Sequence, residues 1–385
     1  VVDLSGLHGE VRQRWAHRPG ELERRVFNLE NERLIRAGLV RLDRHTHIAF
    51  IVVHHLVCDS WSSGILVQEF CQLYAAFSCG LPSSLSDLPI QYSDFVIWEQ
   101  QLLQGERLEQ DLAYWRNVLT NLPAPLEPPG DFPRGTELSG RMVAAASVEL
   151  PKVSHQHIRE LSARLGVTMS ALLLAVFKAL LVRWSEQYDI LVGIPMANRP
   201  LPQLQSLVGH FGAMPTLRTN LSDDPTLEEL ATRIHIHTQE ALQHAHVPYT
   251  MVLQAIKPQN IRRGRRLDTM FFQFLDTPTA QIPMPNITLR PLLDESNVLI
   301  GYKDIELAIA IWRESNTVRV NVAGSADLYA IDTITAVRDY YLSILDTMIS
   351  DPGKRLSELH SPPQSMKKEI SISELEELPY EEGEL

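Results

Sequence analysis

Cysteine is scarce in this sequence: the 385 residues hold three, Cys58, Cys71 and Cys79. An odd, low count supplies no disulfide framework and points to a reducing, cytoplasmic setting. The spacings CxxC and HExxH are absent, so no metal site of those kinds is written here. No apolar run reaches the ~20 residues of a membrane span, and basic pairs such as Lys367-Lys368 are too sparse for a lipid-binding patch. Positive charge is in deficit. Lys and Arg number 35 against 47 Asp and Glu, a net of −12, which argues against nucleic acid as a partner. Part of that deficit is local, because residues 361–385 carry seven Glu against two Lys, a net of −5. An initiating Met is also missing. The chain enters at once into "VVDLSGL" and reads as a piece of a longer polypeptide.

What is present suits a globular chain with two core-forming units: 44% hydrophobic and 21% charged residues. Residues 34–53 read as a β-hairpin, two runs rich in β-branched residues joined by the polar Asp43-Arg44-His45-Thr46. Ser62 is a plausible N-cap for a helix carrying Ile65, Leu66, Phe70, Leu73 and Tyr74 at helical spacing, stopping near Gly80. Residues 92–119 are expected to be mostly helical. The stretch 122–135 holds five prolines and two glycines and reads as a linker. Beyond it the pattern predicts strands at 148–150, 189–197, 268–275 and 317–325. Helices are expected at 153–165, from Thr168 or Ser170 to about Trp184, and at 227–244 and 331–349. The expectation is α+β, with an N-terminal unit over 1–121, a linker over 122–135, a C-terminal unit over 136–360 and an acidic tail over 361–385, disordered or partner-bound.

The chemistry concentrates in "IVVHHLVCDSWS", residues 51–62. Two adjacent histidines end an apolar strand and precede a helix, on a loop held by rigid elements, which is where sites gather. Imidazole is the natural general base at neutral pH. Asp59 either orients His55 or pairs with a buried arginine, and the short spacing favours the ion pair. Cys58 raises a Cys–His–Asp hydrolase as an alternative, although neighbours in one loop rarely converge on one substrate atom. The run Arg262-Arg263-Gly264-Arg265-Arg266 could hold a phosphate, with a solvated loop as the simpler reading.

His54-His55-Leu56-Val57-Cys58-Asp59-Ser60-Trp61-Ser62 resembles the HHxxxDGxS motif of condensation domains from nonribosomal peptide synthetases. Tyr92-Ser93-Asp94-Phe95-Val96-Ile97-Trp98 is similar to the family's YxDYAxW block, and Tyr114-Trp115 to its following YW. Asp189-Ile190, Val192-Gly193-Ile194-Pro195 and Ala197-Asn198-Arg199 resemble its "DI-VG-P-ANR" stretch. Val208-Gly209-His210-Phe211 resembles "IGxFVN", Val247-Pro248-Tyr249 resembles "YPFE", and Tyr302-Lys303-Asp304-Ile305 resembles "KFDL". All stand in the family's order. The resemblance implies two chloramphenicol acetyltransferase-like lobes in a V arrangement, here with the N-terminal lobe incomplete. It implies an acyltransferase that forms an amide bond between a donor thioester and an acceptor amine, each delivered on the phosphopantetheine arm of a carrier protein. No bound cofactor or metal is implied. His55 would position or deprotonate the amine, and His54 and Asp59 would be structural. Arg199 is one candidate partner for Asp59, the other being an arginine in a front block this chain lacks. Ser60, next to Trp61, replaces the motif glycine. If that glycine takes a positive φ, Ser60 is strained. Two alternatives accompany this reading: a silent carrier-docking scaffold, and a related acyltransferase with a soluble acceptor. The acidic tail would be a linker or a docking segment.

Overall fold

A computed structural model describes residues 1–9, 25–135, 138–144, 147–256, 267–275, 284, 287–289, 304–314 and 317–366, and all structural statements concern these. The α+β class is as expected. The chain divides into two compact units, the smaller comprising Val1–Trp98, Arg199–Gly212 and Ala280–Leu293.

In the smaller unit β1 (Val2–Asp3) pairs parallel with β2 (Ile35–Arg41), which pairs antiparallel with β3 (His47–Val53), placing Ala37 opposite Ile51. This is the expected hairpin. Its turn is fixed by Asp43, whose Oδ1 accepts from the His45 and Thr46 N–H groups at 2.7 and 2.8 Å. A single 3₁₀ turn, His55–Val57, follows, then helix α1 (Ser60–Ser78) and the start of α2 (Tyr92–Leu102). The N-cap of α1 is Asp59, not Ser62: Asp59 Oδ1 accepts from Ser62 N–H at 2.7 Å. A carboxylate one residue ahead of the helix reaches that N–H, and Ser62 is left inside the first turn with its hydroxyl free for another bond. Gly80 lies at φ +68°, where the helix was expected to stop.

The elements of the larger unit are α3 (Gly105–Val118), β4 (Met142–Ala144), β5 (Val148–Leu150), α4 (Lys152–Leu165), α5 (Met169–Ser185), β6 (Asp189–Gly193), β7 (Thr216–Asn220), α6 (Leu227–Gln243), α7 (Tyr249–Ile256), β8 (Met270–Leu275), β9 (Leu307–Glu314), β10 (Thr317–Ser325) and α8 (Ile331–Ser350). The strands form a seven-stranded sheet in the order β4-β10-β9-β8-β6-β7, with β5 also paired to β10. β6, β8 and β9 run parallel, while β7 and β10 run antiparallel to their neighbours. Helix α5 is apolar on every side and buried along almost its whole length, as a central core helix must be. Thr168 is its N-cap, bonding Ala171 N–H at 3.2 Å. Helix α4 ends at Gly166, φ +68°, a conformation that costs a residue with a Cβ.

Further expectations shift. The helical stretch 92–119 is two helices, interrupted at Gly105 (φ +66°). The strand expected over 189–197 ends at Gly193. The units divide after Trp98 rather than at 121, because Leu112, Trp115 and Leu119 are buried in the core of the larger unit. Of the tail, Met366 is buried in that core and its carbonyl accepts from Trp184 Nε1 at 2.7 Å, so 361–366 is ordered there. Residues 367–385, the basic run 262–266 and Tyr302-Lys303 lie outside the described residues. Among the described residues, no single helix is long and apolar enough to cross a membrane.

Candidate active site

The two motif histidines are adjacent in sequence and opposite in role. His54 is half-buried and caps the 3₁₀ turn, its Nδ1 accepting from Leu56 N–H at 3.1 Å. That lone pair is spent on the backbone. His55 is exposed and its Nδ1 lies 2.7 Å from the Cys58 carbonyl oxygen. A carbonyl can only accept, so Nδ1 carries the hydrogen and the neutral ring keeps its lone pair on Nε2. A base with a free lone pair is thereby presented at the rim of a cavity of about 400 Å³, lined by Ile51, Val53, Cys58, Ser60 and Ser63 among others.

Asp59 anchors the loop. It is buried, and Arg199 Nη2 donates to both of its oxygens at 3.0 and 3.2 Å. Burial raises the carboxyl's pKa. The hydrogen bonds from Ser62, the Phe211 N–H and the Arg199 charge outweigh that effect and hold it below its ordinary value. Burial pulls the Arg199 guanidinium down, and Asp59 opposes the shift. The same guanidinium donates to Ser62 Oγ at 2.7 Å and to the carbonyls of Leu204 and Leu207, and lies over the Phe211 ring at 4.0 Å. Asp59 is therefore the structural ion pair expected, with Arg199 as its partner, and the bonds that fill its oxygens come from Ser62, Arg199 and Phe211. The Cys58 thiol is pushed up by burial, and what it offers His55 is its carbonyl, so the hydrolase alternative falls away.

Ser60 does not sit at positive φ; it is the first residue of α1, where serine is at home. Trp61 donates from Nε1 to the Gln205 carbonyl at 2.9 Å.

Three of the sequence blocks meet physically. Gly209 N–H donates to Ser62 Oγ at 3.1 Å, while the Gly209 carbonyl accepts from Ser62 Oγ at 2.8 Å and Asp59 N–H at 3.2 Å. Phe211 N–H donates to Asp59 Oδ2 at 3.1 Å. Tyr92 donates from its hydroxyl to the His210 carbonyl at 2.8 Å, and its ring leaves no room for a Cβ at Gly209, which would lie 2.2 Å from Cδ2. Phe95 and Tyr92 pack on Phe211 at 4.6 and 5.1 Å. His210, which sequence reasoning did not single out as a site residue, ends up 4.7 Å from His55. Its separation of 155 residues leaves no local signature, and its place inside the VGHF block was the available signal.

A family model described as "Condensation domain" matches residues 13–371. Malpinin synthetase of Mortierella alpina is 32% identical over 84% of this chain, and tyrocidine synthase 3 of Brevibacillus parabrevis 29% over 96%. The chain spans only 4% and 6% of the length of those two proteins. Among solved structures, the X-domain from teicoplanin biosynthesis superposes with a TM-score of 0.77 at 24% identity, covering 93% of this chain and 80% of that one. The starter condensation domain of rhizomide synthetase, solved with C8-CoA and Leu-SNAC, gives 0.75 at 16%, covering 93% and 78%. The fold is shared with both, and the family model runs nearly end to end, spanning the residues that build the His55 loop and its anchor: this chain belongs to the condensation domain family.

Proposed function

We propose that the domain joins a carrier-bound acyl or peptidyl thioester to a carrier-bound amine, forming an amide in the assembly of a nonribosomal peptide. The observation that carries this is the 2.7 Å contact between His55 Nδ1 and the Cys58 carbonyl, which puts the hydrogen on Nδ1 and leaves the Nε2 lone pair to meet the acceptor amine. As the amine nitrogen attacks the thioester carbonyl, Nε2 takes its proton. The tetrahedral intermediate then collapses with cleavage of the C–S bond, and the departing thiolate of the donor phosphopantetheine arm takes the proton. The new bond is C–N and no cofactor is consumed. Tethering both reactants supplies much of the rate. The partners are the two carrier domains. The unpaired Cys58, Cys71 and Cys79 suit a cytoplasmic setting. The acidic residues 367–385 act as a linker or a docking segment.

The test is intact-mass spectrometry of the acceptor carrier after both loaded carriers are mixed with the wild type or with His55→Ala. Product that requires His55 supports the reading, and equal yield from the variant defeats it. No product from either points to the silent docking scaffold. Product with a free, carrier-less amine points to the soluble-acceptor acyltransferase.

A further inference from the structure

The Asp59–Arg199 pair does more than steady one loop. Asp59 and Ser62 bind the backbone of residues 209 and 211 on both sides of His210, at 2.8 to 3.2 Å. Tyr92 fastens the intervening His210 carbonyl at 2.8 Å. The residue between these fixed points is thus held in place by its backbone. Its ring lies edge to face with His55, with centroids 4.7 Å apart and planes at 82°. His210 Nδ1 is buried with no hydrogen-bond partner among the described residues. Burial, then the neighbouring His55, lower the His210 pKa against a smaller opposing effect from Asp59, and the ring stays neutral. His55, by contrast, is exposed and tied by one hydrogen bond. An imidazole held at one atom can turn half a revolution about its Cβ–Cγ bond, exchanging Nδ1 with a carbon and breaking the bond to Cys58.

We infer that His210 is a positioning residue for His55: its ring blocks that rotation and keeps Nδ1–H on the Cys58 carbonyl with the Nε2 lone pair outward. This rests on the proposed role of His55 as the base. A flat, rigid, uncharged group is what the position requires, so a phenyl ring serves where an alanine does not.

The decisive measurement is ¹⁵N-histidine NMR of His55 in the resting protein at neutral pH, alongside turnover with both loaded carriers. The wild type shows His55 as the Nδ1–H tautomer. His210→Ala shows an average of both tautomers and a kcat lower by roughly tenfold with KM within about twofold, because positioning and not binding is lost. His210→Phe restores the single tautomer and most of kcat. An unchanged His55 tautomer in a folded His210→Ala variant overturns the inference, as does failure of His210→Phe to restore it. Should His210→Ala not fold, His210→Gln, flexible and of similar volume, takes its place with the same expected averaging. The NMR result needs no turnover, so a wild type that shows the expected tautomers without forming product would strike the amide-forming reading alone and leave the positioning role standing.

Discussion

At the scale of single residues, the shape of the histidine loop rests on one buried charge pair. Arg199 and Asp59 expose only 2% and 7% of their side chains, so removing either leaves the other buried and uncompensated, at a cost of about 3–5 kcal/mol. Asp59→Ala and Arg199→Ala are each expected to lower the urea midpoint strongly and to abolish turnover, with the double variant less destabilised than the two losses added together. The sign with pH follows from the lowered Asp59 pKa. Its contribution is complete above the unfolded carboxylate value of 3.8 and is lost only as pH falls through the lower folded value. The stability gap between wild type and Asp59→Asn should stay constant from neutral pH down to 3.8 and narrow below it. Ser60→Gly, which restores the family's motif, should reduce stability by about 0.5–1 kcal/mol in a thermal melt, because a helical φ gains nothing from glycine. A rise in stability would show that Ser60 is strained after all.

Among the elements, α5 carries a fully buried lysine. Lys178 Nζ donates to the carbonyls of Leu217 and Ile190 and to Thr219 Oγ1, bridging the helix to β6 and β7. Burial pushes its pKa down from 10.5 to about 7. Between those values the unfolded chain holds a proton that the folded chain has shed, so stability rises with pH across that window. The wild-type melting temperature should therefore climb relative to Lys178→Met between pH 7 and 10, and parallel curves would refute the shift. Much at this scale was legible. β-branched runs marked the hairpin, Thr168 and Gly166 marked helix ends, and the polar loop at residue 55 marked the candidate site. What was not legible is set by partners far along the chain. Helix α1 is capped by Asp59 because Arg199 and Phe211 hold that carboxylate in reach of the Ser62 N–H, and no local pattern distinguishes it from Ser62 as the cap. Strands β7 and β9 were missed; β9's alternation is masked by apolar residues on both faces, as burial within a sheet permits. Lys178 gives no local signal of its partners, which lie 12 to 41 residues further along the chain.

For the whole molecule, the two units differ in what they bury. Among the described residues, the larger has a continuous core through α5, the sheet and α8, whereas the smaller has a cluster of four buried residues, Phe95, Leu204, Leu207 and Phe211, and leaves Ile35, Leu39 and Ile51 exposed on its strands. Hydrogen exchange should accordingly reach β2, β3 and α1 well before α5 and β10, and uniform protection across both would contradict the difference in packing. The Asp59–Arg199 bond also spans 140 residues of chain. A ribosome adding roughly 5–20 residues per second completes that interval in about seven to thirty seconds. During that wait the histidine loop exists without the segment that gives it shape. The imidazoles of His55 and His210 meet only once residue 210 has emerged, so this constellation is assembled late, whatever order the surrounding strands and helices follow.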